Sequence, residues 1–153
     1  MNDCHQKLES WLSELSLRQG LNLKADEHGY CYLQANKETN LVIMGPANAE
    51  KFVISAKLID LNAYRDEHIL KNSLELNLYQ EETRGASLAL DSQYNTLTLC
   101  ISRDYRDMEF DEFYNTLENI TQLSQDLKEK ILQSEGADEN HDISFKTQGM
   151  LRI

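Results

Sequence analysis

The side chains able to do chemistry are scattered along this sequence rather than gathered into a pattern. Histidines stand at His5, His28, His68 and His141, and cysteines at Cys4, Cys31 and Cys100. Metal capture needs ligands at fixed helical or finger spacing, as in HExxH or paired cysteines and histidines, and neither spacing occurs. Cys4 and His5 are adjacent in sequence, which does not bring their side chains together. Three widely spaced cysteines with no CxxC point to reduced thiols in a cytosol rather than to a disulfide or zinc framework. No GxSxG sets up a nucleophile elbow, and no GxxxxGK[ST] or GxGxxG builds a phosphate cradle. Carboxylates are plentiful, but an acid–base pair needs burial to separate its two pKa values, and these acids fall on faces expected to be exposed. The densest group, Asp104 to Asp111 (DYRDMEFD), lacks the glycine and spacing of a calcium loop and reads better as acids capping a helix. What is left to an enzyme is a site assembled from distant residues, with Cys31, His28 and remote acids as candidates. It would need a thiol activated by its surroundings. No cofactor is implied.

Composition narrows the partners. A chain of 153 residues fits one domain with a core that needs no covalent staple. Its net charge of −11 opposes a phosphate backbone and an anionic membrane surface, so neither nucleic acid nor membrane is expected. The same charge favours solubility and a basic partner. It is concentrated: from Asp104 to Asp142, twelve acids face only Arg106, Lys128 and Lys130, a net of −9, as a solvated helix face and tail would be. The first residues, MNDCHQKLESWLSEL, show neither the basic nor the apolar region of a signal peptide. No apolar run approaches the roughly 18 residues of a membrane span. The expected location is the cytoplasm.

The elements that must position any site follow from periodicity. Leu8, Trp11, Leu12 and Leu15 recur at three and four over 3–18, predicting a helix that Asp3 and Gln6 cap and Gly20 stops. Leu21 and Leu23 then alternate with polar residues, and 26–29 is a turn. Tyr30, Tyr32 and Gln34 alternate with Cys31, Leu33 and Ala35. Further extended segments are expected at 41–44 and 52–61, either side of Gly45-Pro46. A second helix is expected over 65–79, with Ile69, Leu70, Leu74 and Leu78 as its apolar stripe. A hairpin follows, Leu88 and Leu90 in its first strand, a turn at 91–95, and Leu97, Leu99 and Ile101 in its second. The last helix, 109–133, carries Phe110, Phe113, Leu117, Ile120, Leu123, Leu127 and Ile131 at helical spacing. The order α-β-β-β-α-β-β-α describes an α+β domain over 1–136, a twisted antiparallel sheet packed against helices. Residues 137–153 read as a flexible polar tail in which Phe145 is able to dock.

The stretch from Ile69 to Ile131 carries a family resemblance. ILKNSLELNLYQEETRGASLALDSQYNTLTLCISRD is followed by MEFDEFYNTLENITQLSQDLKEKIL. A helix ending in a small polar loop, a strand of the form Leu88-Ala89-Leu90-Asp91, a turn, Leu97-Thr98-Leu99, and a long acidic helix resemble the Tir chaperone (CesT-type) family of class I type III secretion chaperones. The similarity extends over roughly 3–134. The chain departs from the family at Thr83-Arg84-Gly85-Ala86, where many members have a glycine pair, and in its tail after Gly136.

The resemblance implies a non-enzymatic cytosolic homodimer. It binds a segment near the N-terminus of a secreted effector, keeps it soluble and partly unfolded, and presents it to the export apparatus, with the secretion ATPase as a further partner. An exposed sheet edge can accept an added strand whose alternate side chains fill pockets, and a dimer offers two such surfaces. The expected effector contacts are Trp11, Leu21, Leu23, Tyr30, Tyr32, Leu41, Ile43 and Phe52. Periodicity also marks these as core candidates, since alternation shows a common face and not what covers it. Tyr30 and Tyr32 are favoured, because tyrosine presents an apolar ring with a polar tip. The resemblance places dimerisation on the second helix and hairpin strand, at Leu74, Leu78, Leu97, Leu99 and Ile101. The alternative is that these pack under the last helix. Two rival functions stand beside the chaperone: a regulatory or adaptor protein of the same fold with another chain as constitutive partner, and the small cytosolic enzyme built on Cys31 and His28.

Overall fold

A computed structural model describes residues 3–62 and 66–133. Among them the elements run α1 (Asp3–Gln19), β1 (Tyr30–Gln34), β2 (Asn40–Met44), β3 (Lys51–Asp60), α2 (Asp66–Tyr79), β4 (Ser87–Asp91), β5 (Thr96–Asp104) and α3 (Phe110–Gln133). The α+β order expected from the sequence is the one observed. The expected helix start at Arg65, the boundary at Gly136 and the tail with Phe145 lie outside the described residues. Among the described residues, no helix is long and apolar enough to cross a membrane.

One sheet contains all five strands in the order β1-β2-β3-β5-β4, with every pair antiparallel. Register fixes which side chains share a face. Cys31, Ile43, Ile54 and Ile101 form one row across four strands, and Leu33, Leu41, Ala56, Leu99 and Leu88 form the next. Both rows face the core, under α1 and α3. From α1 come Leu8, Trp11, Leu12 and Leu15, and from α3 come Phe113, Leu117, Ile120, Leu123, Leu127 and Ile131. Trp11 ties three elements together: it stacks on Phe113 of α3 at 4.9 Å and meets Phe52 of β3 edge-on at 5.8 Å. Such pairs add about 0.5–1.5 kcal/mol each beyond the area they bury.

Leu21 and Leu23, which alternate with polar residues, lie in no strand. The end of α1 takes their backbone instead: the Leu21 N–H donates to the Ser16 carbonyl at 3.0 Å and the Leu23 N–H to Ser16 Oγ at 2.9 Å. Gly20 supplies the left-handed turn (φ 65°) this closure needs. Ahead of α3, the Glu109 N–H donates to Glu112 Oε2 at 3.0 Å, so the capping carboxylate comes from the helix's own first turn, just past the Asp104–Asp111 cluster. Arg106 forks onto the Asp104 carboxylate at 2.9 and 3.2 Å, which holds that acid down at about 2.

The second helix is rotated from its expected orientation. Its buried residues are Ile69 and Ser73, with Leu70, Leu76 and Asn77 half-buried, whereas Leu74 and Leu78 are 70% and 69% exposed. Two polar side chains face inward because each has a backbone partner there. Ser73 Oγ donates to the Ile69 carbonyl at 2.7 Å, and Asn77 bonds to β4.

Candidate functional site

The expected contact residues divide into two groups. Trp11, Leu41, Ile43 and Phe52 are buried, at 4% exposure or less, and this corrects their assignment to a docking surface. They lie on the face that α1 and α3 cover, and each contributes roughly 1.5–3 kcal/mol by burial. Leu21, Tyr30 and Tyr32 are exposed, Tyr32 by 66%, and Leu23 is half-buried against the core.

The exposed residues sit on and beside β1, an edge strand. In an antiparallel pair the main-chain groups of successive residues point alternately toward and away from the neighbouring strand. At Tyr30 they point away from β2 and are already taken. The Tyr30 N–H donates to Asp26 Oδ1 at 2.9 Å, and its carbonyl accepts the Asp26 N–H at 2.8 Å. The Asp26 carboxylate also accepts the His28 N–H at 2.9 Å, and these amides, Tyr30 first, lower its pKa. Gly29 (φ 83°) closes the turn, where a Cβ would strike the Gly45 carbonyl. Two and four residues on, Tyr32 and Gln34 point their N–H and carbonyl groups the same way, and among the described residues nothing binds them. The β1 edge is therefore open along its second half.

A groove of about 360 Å³ adjoins the open half, lined by Leu15, Leu21, Leu33 and Tyr114 together with polar Gln34 and Gln125, among others. The outer face of the sheet adds apolar ground. Tyr32 stands opposite Val42, and Tyr30 opposite Met44, which in turn stands opposite Val53. Val42, Met44 and Val53 are half-exposed. Sequence reasoning missed these three. The signal was present in the unbroken runs Leu41–Met44 and Phe52–Ile54, since a strand apolar on both faces needs cover on both.

At the other end of the sheet, Leu97 and Leu99 are buried and Ile101 is 9% exposed. This corrects their assignment to a dimer surface: they pack beneath α3 within one chain. Leu74 and Leu78 do face outward, next to exposed Tyr79, and Leu90 and Tyr94 of the following hairpin are exposed as well. Tyr79, Leu90 and Tyr94 were not among the expected site residues.

The thiol chemistry does not assemble. Cys31 is 1% exposed, and burial first, then the Asp26 charge, raises its pKa, whereas an attacking cysteine needs the reverse. His28 is exposed and lies 3.4 Å from Glu27. Among the described residues, no group of three histidine, cysteine or carboxylate side chains is placed to hold a metal.

No curated protein matches the sequence. Solved structures share the fold. The chain superposes on one in the ExsC–ExsE complex with a TM-score of 0.70 at 18% identity, covering 82% of this chain and 93% of that one. For the HopA1–SchA chaperone–effector complex the values are 0.65 and 15%, covering 84% and 98%. For the Yersinia pestis type III secretion chaperone SycH in complex with a YscM2 fragment they are 0.57 and 19%, covering 78% and 98%. The model of one protein family, described as Tir chaperone protein (CesT), matches residues 10–128, from the middle of α1 nearly to the end of α3. This chain belongs to the Tir chaperone protein (CesT) family.

Proposed function

We propose that the protein is a type III secretion chaperone that binds the N-terminal region of an exported effector and keeps it soluble, partly unfolded and competent for export. The observation that carries this reading is the open half of β1. Tyr32 and Gln34 offer unpaired main-chain groups, Tyr32 and Val42 form an apolar row beside them, and the groove adjoins. An extended client segment adds to that edge as a sixth strand, with alternate side chains on the sheet face and in the groove. Family membership and the chaperone–effector complexes among the structural neighbours support the same reading. The work is binding rather than catalysis and is done in the cytoplasm, with the secretion ATPase as a further partner at export.

Two copies associate through the outward face of α2. Leu74 and Leu78 lie one turn apart on one side of the helix with nothing among the described residues to cover them, and a twofold axis makes such a face self-complementary.

Co-expression with exported proteins encoded nearby, followed by size-exclusion chromatography, tests both parts. The expected product is two chaperone chains with one effector segment. A strictly monomeric protein that retains no client overturns the reading.

A further inference from the structure

The two free edges of the sheet are β1 and β4, and among the described residues only one is open. On β4 the main-chain groups of Leu88 point away from β5, and one side chain of α2 takes both. Asn77 Nδ2 donates to the Leu88 carbonyl at 2.9 Å, and the Leu88 N–H donates to Asn77 Oδ1 at 2.8 Å. A primary amide presents one donor and one acceptor side by side, as a peptide group does, so Asn77 occupies the position a paired residue of a sixth strand would fill. β4 has five residues, and only Leu88 and Leu90 point their groups outward, because Ser87, Ala89 and Asp91 alternate toward β5. With Leu88 taken, Leu90 alone is left, and one residue does not hold a strand.

We propose that Asn77 is an edge plug: by imitating a strand residue at Leu88 it closes β4 to strand addition and leaves β1 as the single edge on which the sheet can grow. Two consequences follow. Chains of this protein do not pair edge to edge through β4, the ordinary hazard of an exposed strand. A client strand has one site per protomer rather than two, and this second consequence rests on the reading that clients bind as added strands.

Sedimentation velocity of the full-length protein, without client, tests the plug. Asn77→Ala removes both hydrogen bonds and frees two outward-facing residues on β4. The variant is expected to keep the wild-type circular dichroism and to form species that grow with concentration beyond the wild-type size. Adding Leu90→Pro should restore the wild-type size, since proline supplies no N–H at the outward position of an edge strand. Leu90→Pro alone should sediment as wild type. A folded Asn77→Ala protein of wild-type size at every concentration overturns the proposal, as do larger species that Leu90→Pro fails to remove. If Asn77→Ala does not fold, Asn77→Gln gives the same readings, because its amide sits one methylene too far out to span both Leu88 groups. Client capture by the wild-type protein is a separate measurement. Its failure overturns the proposed function and leaves the plug standing.

Discussion

The two ends of the sheet differ in what completes them. At the β1 end the strand is bare over half its length, and its tyrosines face solvent beside a groove. At the β4 end the main chain is closed at Leu88 by an asparagine, and the apolar exposure extends from Leu90 and Tyr94 one layer out, onto the leucines of α2. A bare edge recognises backbone and so tolerates many sequences, whereas a helical face recognises the shape of side chains and so favours one partner. The first suits a client that arrives unfolded, the second an identical folded copy. The polar residues facing inward on α2 and the leucines facing outward are two sides of one arrangement. Turning Asn77 onto the strand edge turns Leu74 and Leu78 away from it.

The largest expected effect separates scaffold from surface at the β1 end. Trp11→Ala should cost about 3–5 kcal/mol by emptying the aromatic cluster, while Tyr32→Ala should change stability by no more than about 0.5 kcal/mol, as exposed positions do; urea denaturation of both reads the contrast. Equal losses would mean that the edge is part of the core. Next, Tyr32→Pro removes an outward N–H without breaking the ladder to β2 and fixes φ. Leaving the client's carbonyl unpaired costs about 1–3 kcal/mol, which would weaken client affinity roughly tenfold to a hundredfold. Leu90→Pro, its counterpart on β4, should leave client affinity within about twofold. Calorimetric titration with the N-terminal effector segment measures both, and the comparison fails if the two prolines act alike. On the α2 side, Leu74→Glu with Leu78→Glu places like charges across the proposed twofold face. The pair should raise the dimer dissociation constant at least about tenfold while preserving the helical signal, as analytical ultracentrifugation would report.

The smallest effect is one of pH. Asp26, which holds the start of β1, is depressed below the ordinary 3.8, chiefly by the Tyr30 amide. A carboxylate with a lowered folded pKa contributes stability that is present above its unfolded value and lost as pH falls through the folded one. Acidification below 3.8 should therefore release the Tyr30 and His28 amides, visible as movement of their NMR resonances. The neutral amide of Asn77 carries no such dependence, so the Leu88 amide should stay in place over the same range. Asp26→Asn should flatten the response at β1.

Much of this protein is legible without coordinates. The order of eight elements, the buried stripes Leu8–Trp11–Leu12–Leu15 and Phe113–Leu117–Ile120–Leu123–Leu127–Ile131, and the inward set of β1 follow from periods of 3.6 and 2, which are local properties of the backbone. Family resemblance was legible too, since it rests on the order and type of those elements. The site was legible only in part. Tyr30 and Tyr32 are exposed, but Trp11, Leu41, Ile43 and Phe52 belong to the core, and Leu97, Leu99 and Ile101 lie beneath α3. Periodicity groups residues onto a face and is silent on what lies against that face.

The α2 helix shows the limit most clearly. Its sequence offers a stripe of Ile69, Leu70, Leu74 and Leu78, yet the structure turns Ser73 and Asn77 inward with Ile69. A hydrophobic pattern determined that a helix would form and that it would be sticky. Its rotation was decided by two hydrogen bonds to Leu88, eleven residues away. An unpaired edge has acceptors and donors to satisfy that no local pattern records, and they exist only once β4 has taken its place at the end of the sheet.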